Sequence, residues 1–191
     1  MIINLHGLNG ERMNTNYTLL IKKYPGDLAS PQIDYMNIPP VDILLDILKT
    51  ALNADNVDFI VGHSLGGFYA YLVAQIIHCP CILTNPCLPP HEYVPKLEPD
   101  YAYEKHLYTL YNNLIHKVNK DSRDYPIFLI QGNRDDIIDG ESCREIINAD
   151  YMFIVNGGHS FSNCEGFPDV FGDVLGMIMN KSYDNREKRN E

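Results

Sequence analysis

Basic residues are scarce in this chain. Only 15 Lys and Arg stand against 25 Asp and Glu, a formal net charge of −10 at pH 7, whereas binding to a phosphate backbone draws its affinity from clustered cations. No nucleic-acid partner is expected. Long apolar runs are missing too: charge or proline interrupts each one before the roughly 18 to 20 residues that a spanning helix needs, so no membrane segment is expected. The start, Met1-Ile2-Ile3-Asn4-Leu5-His6, lacks the basic stretch, long apolar region and small-residue cleavage site of a secretory leader. Cysteine is limited to an odd, scattered set, Cys79, Cys81, Cys87, Cys143 and Cys164, which fits a reducing compartment and gives a cytoplasmic location as the expectation. The close pair Cys79-Pro80-Cys81 has neither a second pair nor the histidines that complete a zinc site. It reads as buried, small apolar packing, and no metal is assigned. There is no glycine-rich phosphate loop, so no organic cofactor is expected either.

What is present is enough apolar material for one core: 191 residues, 45% of them hydrophobic, near the usual size of one domain. Short β-branched runs alternate with longer helical patterns, the mark of an α/β protein with a parallel sheet covered on both faces. Six strands are expected: Ile2 to His6, a weak one near Leu28 to Ile33, Asp58 to Gly62, Cys81 to Asn85, Ile127 to Gln131, and Tyr151 to Val155. Helices are expected over Val41 to Leu52, with Leu44, Leu45, Leu48 and Leu52 on one face, and over Leu65 to Ile77, Glu141 to Ile147 and Val170 to Met179.

About forty residues separate the fourth strand from the fifth, too many for a plain connection. Within them Leu107, Leu110, Tyr111, Leu114, Ile115 and Val118 share a helical face, and Tyr93, Tyr101, Tyr103, Tyr108, Tyr111 and Tyr125 add an aromatic set. The segment, about 87–125, reads as a small helical cap over the strand ends. The same stripe is also what plain core packing would produce. A single domain over 1–181 with a polar, disordered tail over 182–191 is the expected organisation.

The chemistry centres on Gly62-His63-Ser64-Leu65-Gly66, a G-x-S-x-G sequence that directly follows an apolar strand and directly precedes a helical pattern. A serine in so sharp a turn takes a strained backbone, and side chains on its neighbours would collide, which is why glycines flank it. The turn lifts the hydroxyl out of the sheet and aims the Leu65 amide at an oxyanion. An ordinary turn with a capping serine is the alternative. After the first strand, Leu5-His6-Gly7-Leu8 supplies a loop in which the Leu8 amide becomes a second oxyanion donor, while His6 braces the loop.

His159, in Asn156-Gly157-Gly158-His159-Ser160 beyond the last strand, is the candidate general base, brought toward the serine by its two glycines. The acid that fixes its tautomer should follow the fifth strand, in Gly132-Asn133-Arg134-Asp135-Asp136-Ile137-Ile138-Asp139. Asp135 is the choice, because Ile137 and Ile138 can anchor its turn; Asp136 is the runner-up and Asp139 the third possibility.

Together the strand-HG loop, the GHSLGG elbow, the G-x-x-D turn and the GGH loop resemble the α/β-hydrolase superfamily, and within it the small YqiA-like bacterial esterases. The resemblance covers nearly the whole chain except its polar tail, including Asn85-Pro86 and His159-Ser160-Phe161. It implies an α/β-hydrolase fold and a serine esterase that acts on short-chain esters or thioesters through an acyl-enzyme on Ser64, without metal or cofactor. Acyl transfer by the same nucleophile and a non-catalytic ligand-binding module are the alternative functions.

Overall fold

A computed structural model describes residues 1–24, 27–115 and 123–187. The elements run β1 (Ile2–Leu5), α1 (Thr15–Lys23), β2 (Leu28–Ala29), α2 (Pro40–Leu52), β3 (Phe59–His63), α3 (Leu65–Ile77), β4 (Cys81–Thr84), α4 (Pro90–Leu97), α5 (Glu104–Leu114), β5 (Ile127–Gly132), α6 (Gly140–Ile146), β6 (Tyr151–Val155) and α7 (Phe167–Glu187). The six strands form one sheet in the order β2-β1-β3-β4-β5-β6, and every pairing in it is parallel.

Side chains alternate across a strand, so β1, β3, β4 and β5 each feed two cores, whereas β6 buries one face and leaves Met152 and Ile154 exposed. Ile3, Leu5, Ile60, Cys81, Leu83, Ile127 and Leu129 point to the larger core, shared with α2, α3, α4 and α5. Ile2, Phe59, Val61, Ile82, Phe128 and Ile130 point to the smaller one, which Leu20 of α1 and Phe167, Phe171 and Val174 of α7 cover. Burial on both faces explains why β1, β3, β4 and β5 read as near-continuous apolar runs. From β1 the chain goes to one side for β2 and to the other for β3. Such a switch leaves a crevice beyond the carboxyl ends of β1 and β3, where ligands of open α/β sheets bind.

The expected apolar face of α2 is corrected. Its buried residues are Pro40, Ile43, Leu44, Ile47 and Ala51, whereas Leu45 and Leu52 are exposed and Leu48 is only partly buried. This helix carries two overlapping apolar stripes that share Leu44, and spacing alone does not choose between them. The sequence reading also has no counterpart for α1, which buries only Asn16 and Leu20 and so shows no apolar periodicity. At the other end, the α7 backbone continues to Glu187, so residues 182–187 of the expected disordered tail are helical. No Pro or Gly stands there, and extending an established helix needs only one bond per residue. Residues 188–191 lie outside the described residues.

The long segment after β4 folds as α4 and α5, but its aromatic residues do not form a separate lid. Tyr93, Tyr101, Tyr111 and Tyr125 join Leu107, Leu110 and Ile115 in the larger core, and Tyr108 is exposed. Hydrogen bonds dock the segment on the main body: the Tyr93 hydroxyl accepts from the Asp139 N–H at 3.1 Å, and the Tyr103 hydroxyl donates to the Asn37 carbonyl at 3.2 Å. Core packing accounts for the stripe; Val118 lies outside the described residues.

Candidate functional site

Ser64 stands between β3 and α3 with φ 51° and ψ −123°, a conformation that L residues with a Cβ rarely adopt. Sterics fix the turn. A Cβ on Gly62 would lie 2.3 Å from the Gly66 carbonyl oxygen, and one on Gly66 would lie 2.3 Å from the His6 carbonyl oxygen, so neither position admits a side chain. The turn is also bonded at its base, where the Ser64 carbonyl accepts from the N–H groups of Gly67 at 2.8 Å and Cys87 at 2.9 Å.

Three loops converge on this serine. His159 Nε2 is 2.9 Å from Ser64 Oγ, and its Nδ1 is 2.9 Å from Asp135 Oδ2. A carboxylate only accepts, so Nδ1 carries the proton and Nε2 accepts the Ser64 hydroxyl. The other Asp135 oxygen, Oδ1, accepts from the Ile137 and Ile138 N–H groups at 2.9 and 3.0 Å. Burial opposes ionisation of Asp135, but the bonds from His159 and these two amides outweigh it and hold the carboxyl below its usual range. Asp136 is exposed. Asp139 caps α6 instead, accepting from the Glu141 N–H and the Ser142 hydroxyl.

Of the two candidate oxyanion amides, Leu65 opens α3, where an N–H has no partner within its own helix. Leu8 lines a cavity of about 270 Å³ that also takes in Gly7, Asn16, His63, Ser64 and His159. No described residue of the 87–125 segment belongs to its wall. Gly7 lies over the serine: a Cβ there would sit 2.9 Å from Ser64 Cβ. His6 braces the loop as expected, with Nδ1 donating to the Gly7 carbonyl at 2.7 Å and Nε2 accepting the Ile33 N–H at 2.9 Å. Burial pulls its pKa below the usual histidine value.

Two parts of the site escape the sequence reading. Asn85, buried and at φ 42°, ties the acid loop to the histidine loop. Its Oδ1 accepts from the Gly132 N–H at 2.8 Å, while Nδ2 donates to the carbonyls of Gly158 at 3.0 Å and His159 at 2.8 Å. The signal available was a polar residue at a strand end before proline, of a type that tolerates positive φ. The second part is His63, whose ring lies 5.1 Å from that of His159. Burial, then the charge of His159, pushes its pKa down to about 4.

All five cysteines are buried and outside disulfides. Burial pushes the thiols of Cys79 and Cys143 up to about 12, which leaves them protonated and poor nucleophiles at neutral pH. No described helix is long and apolar enough to cross a membrane.

The fold recurs in solved structures of low sequence identity. Est1E from Butyrivibrio proteoclasticus aligns with a TM-score of 0.68 at 14% identity, covering 94% of this chain and 88% of its own. A structure from the metagenome-derived lipolytic enzymes LipS and LipT gives 0.70 at 15%, with 94% and 93% covered. A monoacylglycerol lipase from Paleococcus ferrophilus gives 0.64 at 14%, again with 94% and 93% covered. The fold is that of the α/β-hydrolases, as the motifs imply. Residues 1–171 match the sequence profile of the uncharacterised protein family UPF0227, and the chain belongs to that family.

Proposed function

We propose that the protein is a serine hydrolase that cleaves small, short-chain carboxylic esters or thioesters. The observation that carries this reading is the chain of contacts from Ser64 Oγ through His159 to Asp135, each 2.9 Å long, at the wall of a cavity. The likeness to structures named as lipolytic enzymes and as a monoacylglycerol lipase supports it. The cavity volume supports a small substrate, since about 270 Å³ falls just below the roughly 300 to 1,000 Å³ of sites for drug-sized ligands.

In the first half-reaction Ser64 Oγ bonds to the carbonyl carbon as His159 Nε2 takes its proton. Asp135 stabilises the imidazolium, and the amides of Leu8 and Leu65 donate to the oxyanion. Collapse breaks the bond to the alcohol or thiol, which leaves with the proton from His159. Water then attacks the acyl-enzyme, again giving its proton to His159, and the acid departs as that proton returns to Ser64. The mechanism uses the three side chains, the two backbone amides and water.

A fluorophosphonate probe tests this reading, because it phosphonylates an activated serine with loss of fluoride. Peptide mapping should place the adduct on Ser64. Ser64→Ala should abolish labelling and lower ester hydrolysis by a factor on the order of 10⁶, with the fold retained. Folded wild-type protein that takes no label would leave a non-catalytic ligand-binding module as the better reading.

A further inference from the structure

The part of the cavity wall beneath α1 takes no part in the proton relay, and it carries two side-chain acceptors that its own hydrogen bonds leave unused. His63 and Thr84 are register partners at the ends of β3 and β4. Alternation places them on the sheet face of Val61 and Ile82, the face that α1 covers. The Thr84 hydroxyl donates to the Gly62 carbonyl at 3.3 Å. It therefore accepts from Asn16 Nδ2, 3.0 Å away. His63 Nδ1 lies 3.0 Å from the Thr84 carbonyl oxygen, which can only accept, so the ring proton sits on Nδ1 and Nε2 holds a lone pair.

The adjoining Cδ2 edge of His63 faces the loop over the serine, 3.4 Å from where a Cβ on Gly7 would be. Asn16 and His63 both line the cavity. With one hydrogen of Asn16 Nδ2 engaged on Thr84, each residue keeps an acceptor that no other bond uses: Asn16 its Oδ1, His63 its Nε2. The depressed pKa of His63 keeps that nitrogen unprotonated at neutral pH. Asn14, the other amide in the wall, uses Oδ1 for the Tyr17 N–H and Asn4 Nδ2, and its Nδ2 is enclosed.

A departing alcohol oxygen must lie beside His159 Nε2 to receive its proton, and His63 packs directly against His159. On the serine-hydrolase reading, we infer that the substrate's alcohol portion is short and bears its own hydroxyl or amine donor, accepted by His63 Nε2 or Asn16 Oδ1. An alcohol portion that is wholly hydrocarbon leaves both acceptors desolvated and unmatched. Sites built to hydrogen-bond a substrate discriminate against analogues lacking the group in this way.

The test compares 2-hydroxyethyl butyrate with propyl butyrate, in which a methyl replaces the hydroxyl, by kcat/KM normalised to the alkaline hydrolysis of each ester. Wild-type protein should favour the hydroxyethyl ester by about two- to tenfold, the worth of one neutral hydrogen bond. His63→Phe, which keeps a ring against His159, should bring the ratio toward one; Asn16→Leu should lower it as well. The wild-type ratio decides the matter even if a variant fails to fold. A ratio of one or less, or cleavage of neither ester, overturns the inference. If the fluorophosphonate still labels Ser64 in that case, the hydrolase reading stands; if it does not, both fall.

Discussion

The loops around Ser64 and the helical segment after β4 are held by opposite means. At the serine, few contacts bear all the geometry: two glycines that admit no Cβ, one carboxylate bonded on both oxygens, one amide spanning two loops. The α4–α5 segment is held by a distributed set of aromatic and aliphatic contacts within the larger core. Dispersion contacts are individually weak and mutually replaceable, whereas directed hydrogen bonds at buried sites have no substitutes nearby. Single changes should therefore cost rate at the first region, and stability but little rate at the second.

The largest expected contrast lies within one turn. Asp135→Asn should lower kcat/KM by roughly 10⁴, as an amide at this position holds the wrong imidazole tautomer and cannot stabilise the imidazolium. Asp136→Asn and Asp139→Asn, at exposed positions, should leave kcat/KM nearly unchanged on the same activated ester. Each variant is first shown to unfold at a comparable denaturant midpoint. A large loss in Asp136→Asn with Asp135→Asn active would mean that the working histidine takes its acid from a different turn geometry.

A smaller loss is expected at Asn85, whose side chain bonds to the backbone of Gly132, Gly158 and His159 and acts on the imidazole through its loop. Asn85→Asp keeps the shape and the acceptor for Gly132, but a carboxylate cannot donate to the carbonyls of Gly158 and His159 and repels them. Displacing a catalytic group by about 1 Å can cost on the order of 10² in rate, and that is the fall expected in kcat, with circular dichroism unchanged. An active Asn85→Asp would show that the histidine loop is held by its packing alone.

The same contrast explains what could be read from the sequence. The elbow was legible because its glycines answer a hard steric demand, and the inner strands because burial on both faces makes them nearly continuously apolar. The buried face of α2 was not, since two stripes share Leu44 and only the position of the neighbouring elements selects Ile43 and Ile47. Nor was α1, which is anchored by Leu20 and a polar Asn16. Asn85 carries only the local signal of a strand-end polar residue before proline, and His63 and Thr84 carry none of their own, because the roles of all three lie in partners more than twenty residues away. Aromatic spacing in the 87–125 segment is equally compatible with a lid and with a core, and the structure assigns it to the core.

The finest test of the comparison uses the tyrosines of that segment. Tyr101 is 7% exposed, and among the described residues its buried hydroxyl has no hydrogen-bond partner; its ring meets Tyr103 edge-on at 5.9 Å. Removing an unmatched polar group while keeping the ring is nearly neutral or favourable, so Tyr101→Phe should leave stability unchanged or raise it by up to about 1 kcal/mol. Tyr93 differs, because its hydroxyl accepts the Asp139 N–H at the loop that holds Asp135. Tyr93→Phe should lose about 0.5 to 1.5 kcal/mol, the net worth of one such bond. Urea unfolding of both variants against wild type makes the measurement. Equal losses in the two would mean that the Tyr101 hydroxyl is also bonded in the folded protein, and that this segment is wired as specifically as the loops around Ser64.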